Sequence, residues 1–157
     1  MPHQAASFRD QDPPAGLDRE LLATLSAICA RSLSGVQCAY AFGSVARVEE
    51  GPLSDLDLAV LFDDEMPAAR RLDQAAALTE EVERVAGRRA DILILNESPP
   101  ALRYRVVCDG RLLYARDERR RVAFESQALD EFLDFQPVLA RYDRLLLARA
   151  REGGLGT

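Results

Sequence analysis

Two short motifs, Gly43-Ser44 and Asp55-Leu56-Asp57, carry residue types suited to phosphate and metal chemistry, and ten residues separate them. The first motif follows the apolar run 36–42 and the second opens the apolar run 56–62, so each lies at the end of a predicted strand. Residues two apart in a strand point to the same face, with Cα atoms about 6.5–7 Å apart. Asp55 and Asp57 therefore project together at a strand start, where solvent can enter.

Two adjacent carboxylates repel each other, and the local sequence offers them no cationic partner. A divalent cation relieves this repulsion, and Mg²⁺ favours oxygen ligands from one or two carboxylates together with substrate phosphates. A third carboxylate is needed where two metals activate a hydroxyl and stabilise a leaving pyrophosphate. Asp91 opens the next predicted strand and is the preferred third ligand. Asp63 and Asp64 are weaker candidates, because strand rise places them about 20 Å from the first two carboxylates.

The glycine and serine of the first motif suit a bound phosphate. Gly43 lets the backbone turn sharply and approach a ligand closely. Ser44 offers a hydroxyl and a backbone N–H at the start of a short helix predicted over 45–48, where the partial positive charge favours a phosphate. Arg47 follows in the same segment and faces either a triphosphate or solvent. Together the motifs predict a site for a nucleoside triphosphate and its metals, with nucleotidyl transfer as the reaction.

The composition excludes several other chemistries. The 157-residue chain contains no lysine, so neither a lysine nucleophile nor a Walker-type phosphate loop is possible. Its one histidine, His3, falls in a proline-containing tail over 1–16 that we expect to be disordered, which excludes histidine catalysis and histidine metal sites. The net charge of −6 argues against a general nucleic-acid-binding protein, which normally presents a basic face.

The cysteines and the apolar runs indicate the cellular setting. The three cysteines are widely spaced among apolar neighbours, so we expect buried thiols rather than disulfides or a zinc site. No apolar run approaches the roughly 20 residues that a membrane-spanning helix requires, and the N-terminus lacks a signal-peptide pattern. A cytoplasmic protein without a membrane partner is therefore expected.

Helical and extended patterns alternate along one predicted domain, 17–150, flanked by a tail at 1–16 and another at 151–157. Alternation of this kind favours an α/β fold in which helices pack on a small sheet. Pro137 is expected to break or kink the last helical region. The predicted elements are a helix over 17–33, strands over 36–42 and 56–62, a helix over 67–86, a strand over 90–95, a helix over 101–108, a strand over 112–115 and a helical region from about 117.

The order Gly43-Ser44, ten residues, Asp55-x-Asp57 and a later Asp91 resembles the signature of the minimal nucleotidyltransferases of the polymerase-β-like superfamily. The resemblance implies the α/β (α+β) fold of that superfamily, a small mixed sheet with packed helices and a C-terminal helical region. It also implies that the three aspartates bind Mg²⁺ and that ATP is the co-substrate. One position departs from many relatives, because Val48 stands where they have glycine.

Over roughly residues 36–145 the chain is similar to the MntA-type antitoxins. The similarity lies in the stretch 90–117, ADILILNESPPALRYRVVCDGRLLYARD, and in a following helical segment that contains FLDF. It implies a HEPN-family RNase toxin as partner, and transfer of AMP from ATP to a tyrosine of that toxin. The acidic net charge suits such a basic partner better than it suits RNA, so no direct contact with nucleic acid is expected.

Two alternatives share these features. A nucleotidyltransferase acting on a small molecule, such as an aminoglycoside, would use the same carboxylates, although little chain remains to build a deep acceptor pocket. An antitoxin that only masks its toxin would not need three carboxylates.

Overall fold

The structure, a computed structural model, describes residues 17, 19–31, 35–43 and 55–153, with side chains up to residue 149. The helices within these ranges are α1 (Arg19–Arg31), α2 (Ala68–Ala86), α3 (Pro100–Asp109) and α4 (Glu118–Gly153). The strands are β1 (Val36–Phe42), β2 (Leu56–Phe62), β3 (Ala90–Ile94) and β4 (Arg111–Ala115), and a 3₁₀ turn, Leu95–Glu97, follows β3.

The strands form one mixed sheet in the order β3-β2-β1-β4. Strand β2 runs parallel to β3, whereas β1 is antiparallel to both of its neighbours. The end of β1 therefore meets the starts of the other three strands, and we call this edge, marked by Phe42, Asp57 and Asp91, the carboxylate end. The opposite edge, marked by Val36, Phe62 and Ile94, is called the far end.

Strands β1 and β2 are buried on both faces of the sheet. One face packs against α1 and α2 through Ala39, Ala41, Leu58 and Val60, and the other face carries Cys38, Tyr40 and Ala59. Strands covered on both sides are apolar almost throughout, which is why both strands could be predicted from the sequence. The predicted bounds of β1 and β2 are confirmed.

Helix α2 fixes where β3 begins. Gly87 ends the helix in the left-handed conformation, with φ 67°, and its N–H donates to the Glu83 carbonyl at 2.9 Å. The Glu83 carboxylate in turn accepts a hydrogen bond from the Ala90 N–H at 3.0 Å. The end of the helix and the first residue of the strand are thus tied together, immediately beside Asp91.

Helix α4 is joined to the sheet and to α3 by its first half. The Tyr40 hydroxyl donates to Glu125 at 2.8 Å, and Arg103 forms an ion pair with Glu131 at 3.0 Å. The rings of Tyr104 and Phe132 stack with their centroids 4.0 Å apart.

The prediction of a helix break at Pro137 is wrong, because α4 continues through this residue to Gly153. A proline inside a helix removes one backbone hydrogen bond, and the turns on either side keep theirs. Other boundaries differ by less: Leu17, in the predicted helix over 17–33, lies outside α1, and β3 ends one residue early. The helix predicted over 45–48 lies outside the described residues.

No helix in the described part of the chain is long and apolar enough to cross a membrane. The cysteines carry no disulfide: Cys29 and Cys38 are buried, as predicted, and Cys108 is half-buried.

The thiols should differ in reactivity. Burial raises the pKa of both Cys29 and Cys38 to about 12. A raised pKa leaves almost no thiolate at pH 8, and the thiolate is the reactive form. We expect a disulfide reagent at pH 8 to modify one thiol per native chain rapidly, at Cys108, and three in denaturant. The variant Cys108→Ser should abolish the rapid reaction, and rapid modification of more than one thiol in the native chain would contradict this assignment.

Candidate functional site

The structure brings Asp57 and Asp91 together at the carboxylate end. They are direct partners in the parallel register of β2 and β3, and neighbouring strands lie about 4.8 Å apart. Residues 56, 58, 90 and 92 face α1 and α2, so the alternating Asp57 and Asp91 lie on the opposite face. Asp55 immediately precedes β2 and is exposed. It does not line the cavity beside the other two carboxylates that is described below, so its place beside them remains a prediction.

Gly43 lies against the carboxylate of Asp57. Its φ is 74°, a conformation that side chains rarely adopt. A Cβ atom added here would lie 2.9 Å from Cγ and 3.1 Å from Cβ of Asp57, and would overlap with a carboxylate oxygen. The sequence suggested that this glycine admits a ligand, whereas the described contact is with the carboxylate itself. Gly43 therefore sets where that carboxylate can lie.

A cavity of about 160 Å³ lies beside the two carboxylates. Its walls combine the acidic pair with apolar residues from β1, β3 and α3, namely Phe42, Ile92, Leu93 and Leu102. At about 30 Å³ for each water molecule, the space holds about five waters. It can therefore accept a hydrated cation or a phosphate group, and the rest of a nucleotide would lie outside it.

The donor set suits a hard cation. Within the described ranges, no three His, Cys, Asp or Glu side chains lie close enough together to hold a metal ion. Asp57 and Asp91 nevertheless offer paired carboxylate oxygens, which are the ligands that Mg²⁺ prefers. Among the described residues that line the cavity there is neither cysteine nor histidine, which a softer metal would favour. The chemistry of these residues thus fits magnesium.

Arg89 was not identified from the sequence as part of the site. The Leu56 N–H donates to the Arg89 carbonyl at 2.9 Å, so the ladder of β2 and β3 extends to this residue. The same register that pairs Leu56 with Ala90 sets Arg89 beside Asp55. Arg89 is exposed and lies two residues before Asp91. The parallel pairing of these strands was the missing information, because it alone brings this cation to the carboxylate end.

The far end holds larger cavities, of about 700 and 450 Å³, but a different arrangement of charge. There Asp63 forms ion pairs with Arg116 at 3.3 Å and Arg120 at 3.6 Å. Asp63 is thus already paired with two arginines, whereas the strand register at the carboxylate end sets two carboxylates, Asp57 and Asp91, side by side. The carboxylate end is therefore the better candidate site, despite its smaller cavity, and Asp63 lies far from it, as expected.

Three positions singled out in the sequence, Ser44, Arg47 and Val48, lie outside the described residues. Their assigned roles remain predictions.

The family described as "Polymerase beta, Nucleotidyltransferase" matches residues 24–119, which is more than half of the 157-residue chain. The chain therefore belongs to this family of nucleotidyltransferases. Within the family it is 36% identical over 73 residues to "Putative protein adenylyltransferase MJ0435" of Methanocaldococcus jannaschii. That match covers 46% of this chain and 74% of the relative.

Solved structures show the same fold. One is the tri-AMPylated Shewanella oneidensis HEPN toxin in complex with MNT antitoxin, with a TM-score of 0.64, 18% identity, and coverage of 83% of this chain and 99% of the other. Another is a toxin-antitoxin with AMP-PNP, with a TM-score of 0.65, 20% identity and the same two coverages. The predicted polymerase-β-like fold, a small mixed sheet with packed helices, is confirmed.

The variant Gly43→Ala should disturb the site as well as the fold. Gly87→Ala is the matched control, because Gly87 also has a positive φ but nothing lies within 4 Å of an added Cβ. Left-handed strain of about 1–2 kcal/mol should affect both variants, whereas contact with Asp57 is added only at position 43. We expect thermal unfolding to show the larger loss of stability for Gly43→Ala. Equal losses in the two variants would contradict the contact.

Proposed function

We propose that this protein is an Mg²⁺-dependent adenylyltransferase antitoxin, which transfers AMP from ATP to a tyrosine hydroxyl of a HEPN-family toxin. The observation that carries the proposal is the register pairing of Asp57 with Asp91, in a chain that belongs to the nucleotidyltransferase family. The names of its relatives support the reaction and the partner, since they include a protein adenylyltransferase and an AMPylated HEPN toxin in complex with an antitoxin.

The three carboxylates would act together. Asp55 and Asp57 would hold Mg²⁺ and Asp91 would complete the site, each through its carboxylate oxygens. Bound magnesium supplies positive charge that stabilises the phosphates and the leaving pyrophosphate. The apolar walls formed by Phe42 and Leu102 keep water from part of the site, which strengthens electrostatic attraction there.

The remaining groups position the substrates. Gly43 and Ser44 bind the β- and γ-phosphates of ATP, and Arg47 and Arg89 add positive charge. The tyrosine oxygen forms a bond to the α-phosphorus, the bond to the bridging oxygen of the β-phosphate breaks, and pyrophosphate leaves with that electron pair. The hydroxyl proton passes to a carboxylate or to solvent. Positioning and charge neutralisation provide most of the rate enhancement.

The overall charge supports a protein acceptor rather than a nucleic acid. A net charge of −6 attracts a basic partner and repels a polyanion. We therefore propose an RNA-binding toxin as partner, no direct contact with nucleic acid, and action in the cytoplasm.

Loss of one carboxylate should abolish transfer. The full chain is mixed with its co-encoded partner, Mg²⁺ and ATP labelled in the α-phosphate, and Asp57→Asn should lower the rate of labelling by at least about 100-fold. Asp64→Asn is the matched control, because Asp64 is an exposed aspartate at the far end and its variant should label normally. Mass spectrometry of the labelled partner should show added AMP on tyrosine.

Two outcomes of that experiment would overturn the proposal. If the Asp57→Asn variant still neutralises the toxin without labelling it, the antitoxin acts by masking. Labelling of a small molecule in place of the partner would indicate a different acceptor class.

Arg89 should contribute to nucleotide binding. Replacing it with alanine removes a charge that would contact phosphate, and a hydrogen bond to a charged group contributes about 1.5 kcal/mol. We expect Arg89→Ala to raise the KM for ATP about tenfold. Arg84→Ala is the control, since Arg84 is 72% exposed on α2 and its loss should leave KM unchanged. An unchanged KM in Arg89→Ala would remove this residue from the site.

A further inference from the structure

The second half of α4 presents apolar side chains that no described element covers. Helix α4 has 36 residues, and its contacts with α3 lie in the part that ends near Phe132. Beyond that point nearly every residue up to 149 is exposed. The large apolar side chains among them include Val138, Tyr142 and Leu145, which are 57%, 61% and 56% exposed.

These side chains form one continuous stripe. We define the α4 stripe as the six residues Phe135, Val138, Leu139, Tyr142, Leu145 and Leu146. Steps of three and four residues place them on a single helix face. The same spacing continues backwards to Phe132 and Ala128, which pack on the body of the protein. The stripe is thus an extension of the core-facing side of α4 beyond the core.

Exposing an apolar stripe of this kind to water is unfavourable in free energy. A helical segment gains most of its stability from packing its apolar face, and this segment has no packing partner among the described residues. Contiguous exposed apolar surface of this kind marks an interaction site. The length and exposure of the stripe suit a second helix lying alongside it.

The charges beside the stripe identify an occupant. At its proximal end the exposed Asp134 lies four residues before Val138, and at its distal end the exposed Arg149 lies three residues after Leu146, so both charges adjoin the stripe. The distal half also contains one exposed acid, Asp143. An antiparallel partner with the same distribution would place Asp134 of each copy near Arg149 of the other. The helix dipoles also attract one another in that orientation.

We propose that the α4 stripe binds the stripe of a second copy of this chain in antiparallel orientation. The two-fold axis passes near Ala140, so Phe135 lies near Leu145 and Leu146 of the second copy, and Leu139 lies near Tyr142. The overlap of about 18 residues spans about 27 Å, which is short for an interface. Small interfaces give weak association, so the dimer should depend on protein concentration.

Sedimentation velocity of the full chain tests the association. We expect the sedimentation coefficient to rise from that of a monomer towards that of a dimer over a range of about 1–100 μM, which is where weak complexes dissociate. Leu145→Glu should keep the protein monomeric throughout. Leu72→Glu is the matched control, because Leu72 is 59% exposed on α2, away from the stripe, and this variant should dimerise normally.

A charge exchange tests the orientation. Asp134→Arg and Arg149→Asp should each shift the monomer–dimer equilibrium at least about fivefold towards monomer, because each brings like charges together. The double variant restores opposite charges across the axis and should recover dimerisation. Circular dichroism confirms that each variant is folded.

Three results would overturn the proposal: a wild-type chain that remains monomeric throughout, a double variant that fails to recover, or a stripe that becomes protected only when the toxin is added. Each would leave the proposed AMP transfer standing, because that reaction is measured by labelling at the other site.

Discussion

The parallel pairing of β2 with β3 is the constraint on which the candidate site depends. It sets two like charges, Asp57 and Asp91, side by side, at the start of a strand that is otherwise largely buried. A shift of one residue would turn every side chain of β2 to the opposite face. Since that would turn Asp57 towards α1 and α2, where Leu58 and Val60 are now fully buried, the core itself holds the carboxylates in register. Two carboxylates held side by side in this way offer oxygen ligands of the kind that Mg²⁺ prefers.

Charged side chains are arranged differently at the carboxylate end and at the far end of the sheet. At the far end, Asp63 is balanced by Arg116 and Arg120, in partly exposed pairs that contribute little to stability. Beneath α4, burial raises the pKa of Tyr40 far above its usual range, so its hydroxyl remains neutral and donates to Glu125. These arrangements satisfy their own charges and polar groups. At the carboxylate end, the register of two strands instead sets two carboxylates, Asp57 and Asp91, side by side.

The sequence was sufficient to predict those elements whose residue pattern is local. Strands β1 and β2 are apolar because both faces are covered, and Gly87 marks the end of α2 through its left-handed conformation. Features that depend on pairing between strands were harder to predict from the sequence. Arg89 lies beside the carboxylates only because of the β2–β3 register, and Gly43 contacts Asp57 only because β1 and β2 are antiparallel. The predicted break at Pro137 was also wrong, since a long helix can lose one hydrogen bond and continue.

Chemistry and recognition occupy different parts of this molecule. The cavity of about 160 Å³ beside Asp57 and Asp91 is large enough for phosphate but too small to distinguish one protein acceptor from another. A transferase that acts on a protein must therefore select its acceptor through surfaces elsewhere. The α4 stripe is one such surface, and it cannot contact a second copy and a toxin at the same time. Dimerisation through the stripe would leave the carboxylate end of each copy to meet its acceptor, whereas a toxin bound to the stripe would require the monomer. The two modes would compete by mass action, so the concentration of this chain would control which surface the toxin meets.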